Sequence, residues 1–222
     1  MIEHRDMRYH LVTHFGLISF VVFLVFPLVW MVSTSLKSTA ELYSGTVTLL
    51  PKGLTLEHYR TALHDGLLLR SLWNSLVVGL AATLGTILIA LPSAYALARY
   101  RSLINKVVLG WILTTQVFPA ILVMIPLYLV LRSLHLTDSL SGLALVYIVW
   151  NLPFVLWMLF GYIRTIPQEL EEAALIDGAS RHQMIYRILL PVLLPAVAAS
   201  AVFAFISVWN EFFFALVLIK TP

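Results

Sequence analysis

The chain has 222 residues, 60% of them hydrophobic and 11% charged, with a formal net charge of +3 and a mean hydropathy of +0.93. Soluble domains carry roughly 25% charged residues, and one water-exposed domain of this length has too little interior to hide so much apolar surface, so lipid is the expected solvent. The chain has no cysteine, which excludes a disulfide scaffold, a thiolate metal site and a thiol nucleophile. Its basic residues are dispersed, with no cluster that would bind nucleic acid.

Five stretches contain no Asp, Glu, Lys or Arg: Phe15–Ser35, Ser71–Ala98, Val107–Leu131, Ser139–Ile163 and Ile188–Asn210. About 20 helical residues cross a hydrocarbon core of roughly 30 Å. Backbone amides in lipid need partners within the protein, which leaves helices or a closed barrel. The stretches are continuously apolar rather than alternating, which selects helices. The expected architecture is an all-α, polytopic helix bundle forming one membrane domain over residues 1–222. Its spans fall at about 15–35, 71–98, 107–131, 139–163 and 188–219. Arg5 and Arg8 precede the first stretch as they would in a signal peptide, but that stretch is too long and lacks a small-residue cleavage site, so it is a retained span.

The charges of the short loops set the orientation. Residues 99–106 hold Arg99, Arg101 and Lys106, whereas residues 132–138 hold Arg132 balanced by Asp138. Cytoplasmic loops are enriched in Lys and Arg, so the N-terminus and residues 164–187 are expected inside, and the mixed-charge loop from Lys37 to Arg70 outside. Pro27, Pro92, Pro119, Pro126, Pro153 and Pro195 lie in or near apolar segments and are expected to bend helices. The last span is expected to continue past Glu211 through Phe212–Ile219, and the odd number of spans leads us to expect further chain beyond Pro222.

Residues 164–191, RTIPQELEEAALIDGASRHQMIYRILLP, read as two short helices outside the lipid. Pro167 suits a first helical position. Glu169, Glu171 and Glu172 favour the positive helix end, and Ala173 and Ala174 are strong helix formers. Gly178 suits a left-handed C-terminal cap. Ser180 and Gln183 have capping-box spacing for a second helix, from about Arg181 to Leu190, with Pro191 opening the next span. Leu170, Ala173, Ala174 and Ile176 form an apolar stripe on the first helix. That stripe suits either a surface helix resting on its own bundle or headgroups, or a helix docked in a partner's groove.

Glu172-Ala173-Ala174, Asp177-Gly178-Ala179, Ile188 and Leu190-Pro191 resemble the EAA loop of ABC importer permeases, E-A-A-x-x-D-G-A followed by I-x-L-P. Ser93-Ala94-Tyr95-Ala96-Leu97-Ala98-Arg99 resembles that family's segment closing the second span. Trp209-Asn210-Glu211-Phe212, and Leu54-Thr55 with Tyr59, are similar to segments of its sugar-importer branch, which includes the maltose permease. The resemblance implies a six-helix core and a coupling helix whose residues Glu171, Glu172, Ala173, Ala174, Leu175, Asp177, Gly178 and Ala179 engage an ATP-binding subunit. It also implies a homologous permease partner, two ATPase subunits carrying ATP and Mg, and an extracytoplasmic sugar-binding protein.

Trp209, Asn210 and Glu211 are the candidate substrate-pathway residues. Ionisable side chains inside spans face a cavity or the bundle interior, so Glu211 is either functional or a capped structural carboxylate. The other tryptophans, Trp30, Trp73, Trp111, Trp150 and Trp157, read as interfacial anchors or packing. None of the seven histidines makes an i, i+4 pair with a nearby carboxylate of metalloprotease type, so no metal site is expected. No G-x-x-x-x-G-K-[ST] occurs, so the chain is not expected to hydrolyse ATP itself. An intramembrane enzyme would need paired catalytic residues within spans, and none is present. An ion-coupled transporter would need buried midplane carboxylates, for which Glu211 alone is thin support.

Overall fold

The computed structural model describes residues 3–100 and 103–220, with the side chains of residues 3–8, 104 and 113 left out. Arg101, the side chains of Arg5 and Arg8, and the end at Pro222 therefore lie outside the described residues. The described chain is helical, and its contacts group it into two units, Met1–Leu69 and Arg70–Pro222.

In the first unit, α1 (Glu3–Ser35) is a single helix whose Tyr9–Ser35 portion is apolar all round and long enough to span a membrane. It suits lipid on every side. The segment after it folds back on its end. The Lys37 ammonium is buried over the Trp30 ring, 5.0 Å from its centroid, and donates to the Thr48 carbonyl. Ser33 donates to the Leu49 carbonyl. Glu41, in α2 (Thr39–Leu42), accepts from the Thr48 hydroxyl at 2.9 Å and the Lys52 amide at 3.1 Å. The helix α3 (Glu57–His64) brings the Tyr59 hydroxyl to 2.7 Å from that of Ser35.

The second unit is organised by α4 (Leu67–Arg99), α7 (Leu140–Thr165) and a helix running from Arg181 to Trp209. Small residues let these helices approach. Ala196, Ser200 and Ala204 repeat every four residues and are buried, as are Ala82, Ala90 and Ala94 on α4. Gly79 lies against the Phe205 ring and Gly85 against Ile148.

Two expected spans are corrected. Residues 107–131 are not one helix but α5 (Leu103–Thr115) and α6 (Ala120–Ser133), separated at Pro119. Proline lacks an amide donor and disfavours helical backbone in the residue before it, and Pro119 itself is extended, with ψ 132°. The described residues thus hold four helices long enough to cross a membrane, with α6 as a shorter apolar helix. The last span does not run through to Ile219 either. It ends at Trp209, and a separate helix α11 (Phe213–Leu218) follows. The chain then returns to the start of α7, where the Asp138 amide donates to the Leu218 carbonyl at 3.1 Å and the Lys220 amide donates to the Asp138 carboxylate at 2.7 Å.

The second loop helix is likewise continuous with the next span. α9 (Arg181–Gln183) leads through a π-helical stretch, Met184–Leu189, into α10 (Leu190–Trp209). Pro191 therefore opens no new helix. Its missing amide falls just after the widened turn, where regular α bonding is already relaxed.

The start of α7 is closely packed at Gly142. Ser139 caps it by accepting from the Gly142 amide at 3.1 Å, and a Cβ on Gly142 would overlap the Leu136 carbonyl. Backbone cannot rotate aside as a side-chain tip can. Gly142→Ala should therefore destabilise the protein by about 1–3 kcal/mol, seen as a lower unfolding midpoint in detergent, whereas Gly110→Ala, with open space around it, should be close to neutral.

Candidate functional site: a docked loop helix and an opposite cavity

The loop between α7 and α9 carries α8 (Glu169–Ile176). Gly178 has φ +85°, its amide donates to the Leu175 carbonyl at 3.1 Å, and the Ala179 amide donates to the Ala174 carbonyl at 3.0 Å. This is a Schellman cap, which favours glycine because a side chain resists left-handed backbone. The capping box is also present: the Ser180 hydroxyl accepts from the Gln183 amide at 3.3 Å, and the Gln183 side chain accepts from the Ser180 amide at 2.9 Å. Pro167 does not take the first helical position but stands just ahead of Gln168, the N-cap.

The buried face of α8 differs from the expected stripe. Leu170, Ala173 and Ile176 are exposed, Ile176 to 84%, and the inward residues are Glu171 and Ala174. Glu171 turns inward because its partners lie there. Arg99, the last residue of α4, donates through Nε to the Glu171 carboxylate at 2.6 Å and through Nη2 to the Ile166 carbonyl at 3.1 Å. The Tyr95 hydroxyl donates to the other Glu171 oxygen at 2.9 Å. Both charged side chains are about nine-tenths buried. Ala94, Ile163, Ile166, Ala174 and Met184 belong to one buried apolar cluster.

The eight loop residues singled out from the sequence therefore divide. Glu172, Ala173, Leu175, Asp177 and Gly178 are exposed, Ala179 is half-buried, and Glu171 and Ala174 face the chain's own core. Glu172 and Leu175 border an open cleft of about 250 Å³ beside Tyr100 and Arg181. Arg181 donates to the Tyr100 hydroxyl at 3.5 Å, and Glu172 has no ion pair among the described residues. Sequence reasoning placed Glu171 with the docking residues and missed Arg99 and Tyr95 as its partners. The one available signal was their position, four apart at the end of a span, on one face of a helix.

At the other end of α7 lies a cavity of about 590 Å³. Ser71, Asn74 and Ser75 of α4 line it together with Tyr147, Trp209 and Glu211. Asn210 is not among the lining residues, and its side-chain amide donates to the Ile206 carbonyl at 2.9 Å. Glu211 is a capped carboxylate. It accepts from the amides of Phe213 and Phe214 at 2.8 and 3.0 Å, which starts α11, and from the Tyr147 hydroxyl at 2.8 Å. Trp209 stacks on Phe205 with centroids 5.6 Å apart and remains half-exposed.

Several apolar membrane-length helices, with a loop helix clamped at one end and a cavity at the other, define a multi-pass helical membrane protein. Residues 85–222 match the family described as the binding-protein-dependent transport system inner membrane component. A Streptomyces antibioticus protein named among ABC transporter permeases is 50% identical over 78% of this chain and 76% of that one. The sulfoquinovosyl glycerol transport system permease protein of Agrobacterium fabrum is 37% identical over 89% of this chain and 70% of its own length. In three dimensions the chain is similar to a chain of a bacterial ABC transporter involved in the import of the acidic polysaccharide alginate. The TM-score is 0.85 and the identity 30%, over 97% of this chain and 76% of that one. The chain belongs to the binding-protein-dependent transport system inner membrane component family, and is a permease subunit of an ABC transporter.

Removing one partner of a buried ion pair leaves an uncompensated charge and costs about 3–5 kcal/mol. Glu171→Gln should therefore loosen the loop, and amide hydrogen exchange across residues 169–179 should rise well above that of the native protein while exchange in α7 stays slow.

Proposed function

We propose that this chain carries a sugar or oligosaccharide across the membrane, as one of two homologous permease subunits driven by ATP hydrolysis on two partner subunits. Its N-terminus and loop helix α8 face the cytoplasm, and an extracytoplasmic binding protein delivers the cargo. ATP and Mg bind the partner subunits, and this chain supplies no ATPase site of its own.

The single observation that carries the coupling role is the outward face of α8. Glu172, Leu175 and Ile176 are exposed on a helix whose other face is clamped by Glu171 and Ala174. A helix held so firmly, with an apolar and acidic face left uncovered, suits a groove on a cytoplasmic partner. The sugar assignment is supported by two of the similar proteins, whose names specify a sulfoquinovosyl glycerol and a polysaccharide as cargo. The cavity agrees with it. Its size falls in the range of about 300–1,000 Å³ that takes small ligands, and it combines Ser71, Asn74 and Ser75 as hydrogen-bonding groups with the half-exposed Trp209 ring.

Glu172→Lys reverses the charge on the exposed face and should weaken capture of the ATPase subunit; burying a charge pair and then breaking it costs about 2–5 kcal/mol. A Cβ at Gly178 meets no neighbour within 4 Å, so the main penalty of Gly178→Val is backbone strain at φ +85°, about 1–3 kcal/mol. Both variants should insert normally and lose substrate-stimulated ATP hydrolysis in purified complexes. Assembly and stimulation at native levels in both would return α8 to the role of a surface helix.

For cargo, uptake of radiolabelled solutes into proteoliposomes holding the full complex should respond to sugars. Stimulation of ATP hydrolysis by amino acids, peptides or metal ions alone would overturn the assignment.

A further inference from the structure

The loop containing α8 is joined through the chain to α7 on one side and to α9–α10 on the other. It has no direct connection to α4, since Arg99 lies 72 residues upstream of its contact Glu171. Yet α4 is the helix that carries Ser71, Asn74 and Ser75 to the cavity at the opposite end. These residues and Val78 have the spacing of one helix face. A helix rises about 1.5 Å per residue, so Asn74 and Arg99 are separated by roughly 37 Å.

We propose that Arg99 is a positioning residue that makes α4 follow α8, so that a displacement imposed on α8 by a partner is carried along α4 to the polar face lining the cavity. The proposal rests on the reading of α8 as a docking helix.

Three polar contacts make the link directional. Arg99 reaches both the Glu171 carboxylate on α8 and the Ile166 carbonyl ahead of it, so one guanidinium spans the turn that connects α7 to α8. Tyr95, one turn earlier on α4, donates to the second Glu171 oxygen. Apolar packing of Ala90 and Ala94 against the same cluster also holds α4 near the loop. Such packing is non-directional and lets two helices slide, whereas the guanidinium fork with fixed donors sets their register. Above the link, α4 is one unbroken helix, with Pro92 as its single proline, and close approaches at Gly79 and Gly85 keep it against α10 and α7. A push at Arg99 is therefore expressed at the far end of α4 rather than absorbed by a loop.

The chain contains no cysteine, so a pair introduced at Ser71 and Leu140, on α4 and α7 at the cavity, can be spin-labelled specifically. The distance between the labels is measured in the complete reconstituted complex, with and without a non-hydrolysable ATP analogue. With Arg99 intact the distance should shift on nucleotide binding. Arg99→Gln should abolish the shift while the ATPase subunits still copurify, and the exchanged pair Arg99→Glu with Glu171→Arg should restore part of it. A shift of native size in Arg99→Gln would overturn the proposal, because packing alone would then suffice. If Arg99→Gln does not assemble, Arg99→Lys decides: it keeps a charge for Glu171 but cannot also reach the Ile166 carbonyl, so the shift should shrink, and a full shift would overturn the proposal. An intact complex that shows no nucleotide-dependent shift overturns it as well. Failure of the docking reading is distinct, because it shows as undiminished capture of the ATPase subunit by Glu172→Lys.

Discussion

A carboxylate and a guanidinium nine-tenths buried at the end of a membrane bundle need each other, because a lone charge there has no water to solvate it. That constraint orders the whole loop end of this protein. It decides which of two adjacent glutamates turns inward, since Glu171 is the one that meets Arg99 and Tyr95. With Glu171 fixed, the helix period sets Ala174 against the core and leaves Glu172 and Leu175 outside. The Ile166 carbonyl, freed where α7 ends, takes the remaining reach of the guanidinium. The exposed face that suits a partner is thus a consequence of how the opposite face is held.

Satisfaction of polar groups shapes the other end in the same way. Where α10 stops at Trp209, Glu211 supplies the acceptor for the first amides of α11, and Tyr147 donates to the same carboxylate. The broken helix is therefore not frayed but restarted, and it lies back against the beginning of α7 at Asp138. The cavity exists because of this turn. A helix continuing straight from Trp209 would not have brought Ala215 and Ile219 to a wall shared with Ser71 and Leu140.

The two ends are joined by long helices packed through small residues. Ser200, Ala204 and Ala82 are buried to within a few per cent, and Gly79 and Gly85 leave no room for a side chain without displacing Phe205 or Ile148. Packing of this density has discrete arrangements rather than a continuous range. The uninterrupted length of α4 gives the bundle a member that reaches from the loop to the cavity.

The sequence by itself determined the all-helical membrane class, because amides in lipid need a helix or a closed barrel and its apolar stretches do not alternate as barrel strands do. It also determined the loop's local grammar. Gly178 in a left-handed cap and the Ser180–Gln183 box depend on residues within a few positions of one another, and both are present. Tertiary structure alone decided the rest. Whether Pro119 divides a span or only bends it depends on the packing around it, and here it divides α5 from α6. Whether Glu211 is free or held depends on α10 ending at Trp209 and on Tyr147, 64 residues upstream, donating to its carboxylate. The choice between Glu171 and Glu172 as the inward residue depends on a guanidinium 72 residues upstream. Periodicity and capping act over a turn or two of helix, whereas the pairing of buried charges is settled only once distant helices have come together.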